Sequence, residues 1–209
     1  MKPTRSLIGA LSVAMFTVAV LARSVFAGPP PPMEVREVKP VIEALKKAPG
    51  RRHDLAALRF YAEVFDGTTV SAPVGSPLET VGAWGDNDAL MSSEGAMAGC
   101  AALPAEKQKL ASALLKEFGA DLPVLLRAYT LAGEGKKSEA KALFVSTYES
   151  IAPAKGCPGE HPMYSHRRVG RMTSILACIK AVDPKGDVKK FETLLERANF
   201  CAANNHAVG

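Results

Sequence analysis

The sequence predicts an all-α protein of about seven or eight helices in antiparallel hairpins, forming a disulfide-stapled bundle or short irregular solenoid. Three observations lead there. From Pro40 onward apolar residues recur at three- and four-residue spacing, the period of a helix with one buried face. Residues that start and stop helices punctuate those runs. Only Thr68 to Val74 alternates in a strand-like way, and one short strand has nothing to pair with.

The chain opens with a segment that does not belong to the fold. Lys2 and Arg5 supply a basic start, Leu7 to Ala22 run almost unbroken in apolar residues, and Val25 and Ala27 precede Gly28. That is the anatomy of a secretory signal peptide over residues 1–27, cleaved near Ala27. The apolar run is shorter than the roughly 20 residues a spanning helix needs, and Arg23 interrupts its exit side. No stable membrane anchor is expected after cleavage. The mature chain is expected to be periplasmic or secreted, where disulfides persist. It carries no N-x-[ST] acceptor, which favours a bacterial setting over a glycosylated eukaryotic one.

Removal of that segment also corrects the charge. The whole chain has 26 Lys plus Arg against 21 Asp plus Glu, a formal +5. Lys2, Arg5 and Arg23 belong to the export segment, so the mature chain carries only +2. Nucleic acid is not an expected partner at so small a charge.

Residues 28–39 read as a proline-rich linker, with Gly28-Pro-Pro-Pro-Pro-Met33 favouring an extended path. A single helical domain is expected over residues 40–209. Pro40 suits a first turn, and Val41 and Leu45 continue to Pro49-Gly50. Leu55, Leu58, Tyr61, Ala62 and Phe65 follow, with Asp54 as N-cap and Gly67 as stop. Ser76-Pro77-Leu78-Glu79 has the layout of a capping box. Between Gly82 and Gly99, four glycines and Asp86-Asn87-Asp88 are expected to break the chain into short turns.

The later helices are better marked. Leu110, Leu114 and Phe118 share a face that ends at Gly119, and Asp121 is placed to cap Leu122, Leu125, Leu126 and Tyr129. After Gly133 and Gly135, Ala140, Leu143, Phe144, Thr147 and Ile151 mark another helix, stopped by Pro153. Leu125 to Ile151 loosely resembles one tetratricopeptide-type hairpin, but no second copy stands about 34 residues on. The last pair is built on Val169, Met172, Ile175, Leu176, Ile179 and Val182, then on Val188, Phe191, Leu194, Leu195 and Ala198 capped by Asp187.

Cys100, Cys157, Cys178 and Cys201 are an even set in an exported chain, which points to two disulfides. In a straight final hairpin Cys178 and Cys201 stand about nine residues out of register, roughly 13 Å, too far for a bridge. The expected pairs are Cys157–Cys201 and Cys100–Cys178.

The competing reading takes Cys157, His161 and His166 as metal ligands, with Cys201 and His206 nearby. Their spacing matches no established zinc or copper pattern. No cofactor motif is present. Gly133-Glu-Gly-Lys-Lys-Ser138 departs from the phosphate-loop spacing, and Asp86, Asp88 and Glu94 lack the order of a calcium loop. Two segments are left as a possible binding surface. One is Trp84, the lone tryptophan, in a glycine-rich polar stretch. The other is Arg167, Arg168 and Arg171, beside His166 at a helix start. Positive charge there opposes the helix dipole, so Glu160, an acidic partner or an anion should compensate it.

No constellation of nucleophile, base or paired carboxylates emerges. The expectation is an exported, non-enzymatic helical protein that binds another extracytoplasmic protein or serves a structural role. The alternative is a small-ligand or metal-binding protein, with or without enzymatic activity, using the Cys157/His161/His166 region.

Overall fold

The computed structural model describes residues 31–153, 157 and 162–204; the expected signal peptide lies outside the described residues. The chain divides into the units Met1–Pro32 and Met33–Gly209. Every helix and strand among the described residues belongs to the second unit. In chain order these are β1 (Met33–Glu37), α1 (Val38–Leu45), α2 (Arg52–Val64), β2 (Thr69–Pro73), α3 (Gly82–Ala96), α4 (Ala105–Phe118), α5 (Val124–Gly133), α6 (Lys137–Ile151), α7 (Pro162–Val182) and α8 (Lys189–Asn204). The protein is therefore mostly helical, with one small antiparallel sheet.

That sheet corrects two expectations. Residues 33–39, assigned to the linker, instead form β1 and the start of α1. The strand-like stretch near Thr68 to Val74 is not alone, because β1 pairs with β2 from Met33↔Pro73 to Glu37↔Thr69. On β2 the alternation places Val70 and Ala72 inward, both fully buried. On β1 the sense is reversed, with Glu34 and Arg36 half-covered and Val35 73% exposed. Hydropathy alone does not mark such a strand.

The sheet, α1 and α3 enclose a first core of Val38, Val41, Ile42, Leu45, Leu58, Val70, Ala72, Val81 and Ala89. Pro40 sits in the first turn of α1, where its missing N–H costs no hydrogen bond. Asp54 does not cap α2; it lies inside the first turn and pairs with Arg51. The expected capping box at Ser76 does not form either. Leu78–Thr80 make one 3-10 turn, closed by the Thr80 hydroxyl donating to Pro77 O at 2.9 Å.

The largest correction is α3. The glycine-rich stretch expected to break into turns is a continuous helix of fifteen residues. Its buried face is Val81, Gly85, Ala89, Ser93 and Met97, at four-residue steps. Most of these side chains are small, so the helix lies close against α2 without an apolar stripe in the sequence. Gly82 lies tight against side chains of α1 and of the start of α2. A Cβ there would stand 2.4 Å from Arg51 Nη2 and 2.9 Å from Leu45.

α2 also faces the second, larger core through Ala56, Phe60 and Val64, joined there by side chains from α4 to α8. Asp121 belongs to a 3-10 turn before Pro123 and does not cap α5, which starts at Val124. Successive helices α5, α6, α7 and α8 pack on one another. Tyr148 fixes the last of these. It is fully buried, packs edge-on against Phe191 at 5.4 Å between ring centres, and its hydroxyl donates to Phe191 O at 2.7 Å. Asp187 lies one position before the cap of α8 and accepts from Lys189 N at 2.9 Å, which satisfies one of the helix's free N-terminal donors.

Two disulfides complete the fold. Cys100–Cys178 joins the segment after α3 to the last part of α7 across a Cα separation of 4.9 Å. Cys157–Cys201 ties the residues before α7 to the end of α8 at 5.1 Å. Gly99 and Cys100 both take positive φ, 77° and 54°, a pair of left-handed residues that turns the chain out of α3 toward α7.

Candidate functional site

α3 turns Gly85, Ala89 and Ser93 inward and leaves Trp84 and Met91 exposed. Trp84 is 46% exposed and Met91 is 48% exposed; seven residues apart, they stand on one helix face. Asn87 lies between them and donates its side-chain amide to Ala83 O at 2.9 Å. An ordinary amphipathic helix does the opposite, hiding its largest apolar side chains. Here Gly85, Ala89 and Ser93 face the core while a tryptophan and a methionine face water.

Glu94 anchors the far end of this helix. Its Oε1 lies 2.8 Å from Arg171 Nη2 of α7, a close ion pair. The carboxylate side chain is 12% exposed and the guanidinium 40%. Burial pushes the Glu94 carboxyl above its ordinary value, and the charge of Arg171 only partly offsets this. Around the pair, Met97, Leu125, Phe144, Ile175 and Cys178 line a cavity of about 10 Å³. The ion pair and the Cys100–Cys178 bond thus secure the same junction.

The two segments singled out in the sequence do not come together at this junction. Arg171 is compensated by Glu94; Glu160, the expected compensator, lies outside the described residues. Arg167 is exposed and Arg168 half-exposed near the start of α7. Trp84 stands ten residues before Glu94, about 15 Å along α3, so it does not share a pocket with Arg171. Met91 was not singled out from the sequence. Its seven-residue offset from Trp84 is the signal that could have found it, had the stretch been read as a helix.

The metal reading loses its thiolate. Cys157 is bonded to Cys201, and a disulfide sulfur cannot act as a thiolate ligand. His161 and His206 lie outside the described residues, and His166 is exposed at the start of α7. No group of three His, Cys, Asp or Glu able to hold a metal occurs among the described residues. Asp88 and Glu94 do not converge either, because Asp88 accepts from Ser71 N at 3.0 Å while Glu94 faces Arg171. Gly133 to Ser138 is the connection between α5 and α6, turned at Gly135 with φ 78°.

No protein-family model, no curated protein and no solved structure matches the chain. The two disulfides fit an oxidising environment. No helix among the described residues is long and apolar enough to cross a membrane.

Proposed function

We propose that the mature chain is an exported, non-enzymatic binding module that holds another extracytoplasmic protein, in the periplasm or after secretion. The observation that supports it is the outward face of α3, where Trp84 and Met91 stand exposed on a helix whose inward face is made of small residues. Tryptophan is among the residues that most often dominate protein interfaces, and methionine adapts to irregular apolar surfaces. Arg167, exposed near the start of α7, suits a partner carrying acidic side chains. Export rests on the basic, apolar and small-residue order of residues 1–27, and it accords with the paired cysteines.

Site-specific photo-crosslinking tests this. A photoreactive side chain is placed at Trp84, at Met91, or at Glu196 on the exposed side of α8, in cells that make the protein. Discrete adducts to one protein from positions 84 and 91, absent at 196 and weakened at 91 by Trp84→Ala, are expected. Equal labelling at all three positions, or none at 84 and 91, would contradict the proposal.

A further inference from the structure

The open edge of β1 carries a self-complementary pattern, and we infer that it pairs antiparallel with β1 of a second copy of this chain, about a two-fold axis at Val35. The inference does not use the α3 face and stands or falls separately from it.

The hydrogen-bond phase of the sheet sets the geometry. Val38 N donates to Thr68 O at 2.9 Å, continuing the register in which Arg36 faces Val70 and Glu34 faces Ala72. The even residues of β1 are therefore the ones whose backbone groups point at β2. Met33, Val35 and Glu37 point their N–H and C=O groups the other way. On β2 the same phase turns Ser71 N outward, and there the Asp88 carboxylate of α3 accepts it at 3.0 Å. One edge of the sheet is thus closed by a side chain. The other edge, along β1, pairs with no strand among the described residues.

An edge of this kind is a template for a further strand. Centred on Val35, the antiparallel pairing matches Val35 with Val35 of the second copy and Met33 with Glu37. All of these positions already point their backbone groups outward, so the donors and acceptors meet. The intervening position matches Glu34 with Arg36 of the second copy, and Arg36 with its Glu34. These are the closer, non-hydrogen-bonded positions, where opposite charges stabilise the pair and like charges oppose it.

The charges also select the register. Pairing shifted by one residue sets Glu34 against Glu34, or Arg36 against Arg36. Within one strand Arg36 already pairs with Glu34, and only the Val35-centred alignment joins the two pairs into a cluster of alternating sign. Val35, at 73% exposed, and Met33, at 45%, would gain cover from their counterparts. A shallow groove of roughly 360 Å³ lined by Glu34, Arg36, Glu37, Pro40 and Leu78 borders the strand and leaves room for the partner's long side chains.

Sedimentation equilibrium of the purified mature protein over a concentration series tests the pairing. Wild type should dimerise reversibly. Glu34→Arg alone and Arg36→Glu alone should each weaken dimerisation at least tenfold, because each sets like charges opposite one another. An equimolar mixture of the two variants should restore dimers, as heterodimers, since every cross-strand pair is then opposite in charge. Circular dichroism confirms that each variant is folded, and the wild-type measurement stands whether or not they are. A monomeric wild type at all concentrations, single variants that dimerise as tightly as wild type, or an edge found occupied by a different protein would overturn the inference.

Discussion

Glu94 of α3 and Arg171 of α7 approach to 2.8 Å beside the Cys100–Cys178 bond, so one junction is held by both an ion pair and a covalent link. The two differ in their dependence on solution conditions. The disulfide is insensitive to pH. The carboxylate is not, because burial raises its pKa in the folded protein.

The sign of that dependence is fixed by linkage. A carboxyl whose folded pKa lies above its unfolded value binds its proton more tightly when folded. Its contribution to stability is therefore greatest at acid pH and declines as pH rises from the unfolded value through the raised folded one. Glu94→Gln should remove this decline, while Arg171, 40% exposed, turns to solvent. Urea midpoints of wild type and variant should converge or cross as pH rises above the ordinary glutamate value of about 4.3. Parallel profiles would show that Glu94 is not destabilised by its burial.

Two glycines of α3 should respond oppositely to the same change. Gly82→Ala places a methyl 2.4 Å from Arg51 Nη2 and 2.9 Å from Leu45. It should destabilise by about 1–3 kcal/mol, as overpacking does. At Gly85 the nearest atom to an added Cβ is 3.5 Å away, an ordinary contact. Gly85→Ala should therefore be neutral or stabilise by up to about 1 kcal/mol through helix propensity. Thermal unfolding of the two variants checks the contrast.

Tyr148 offers a second titration. Burial, with Glu192 nearby, pushes its hydroxyl up to about 12. Because the folded value lies above the unfolded one, stability associated with Tyr148 is present at neutral pH and is lost as pH rises through the alkaline range toward about 12. Tyr148→Phe removes the 2.7 Å bond to Phe191 O and should cost roughly 1 kcal/mol at pH 7. The gap to wild type should shrink above about pH 10. Denaturant titrations at pH 7 and pH 11 would measure it.

The disulfides should dominate overall stability. They close separations of 78 and 44 residues, each equivalent to roughly 4 kcal/mol in the chain-entropy description. Because that dependence is logarithmic, losing the longer loop should cost only about half a kcal/mol more. Unfolding of the paired variants Cys100→Ala/Cys178→Ala and Cys157→Ala/Cys201→Ala tests this. A variant as stable as wild type would place that bond outside the fold's supports.

How much of this could be read from the sequence depended on where large apolar residues fell. α7 was visible because Met172, Ile175, Leu176 and Ile179 mark its buried face. α3 was not, since Gly85, Ala89 and Ser93 carry the packing and give no hydropathic period. β1 was hidden because its charged residues face inward, its apolar Val35 faces out, and prolines precede it. At the candidate site, Trp84 stood out by rarity alone. The partnership of Glu94 with Arg171 joins distant parts of the chain, and only the packing of α3 near α7 brings it about.

Mass spectrometry of the protein from cells that make it, digested without reduction, tests export and disulfide pairing together. The protein should be recovered from the extracytoplasmic fraction with Gly28 as its first residue, with Cys100 linked to Cys178 and Cys157 to Cys201. A chain beginning at Met1, recovered from the cytoplasm with four free thiols, would contradict both.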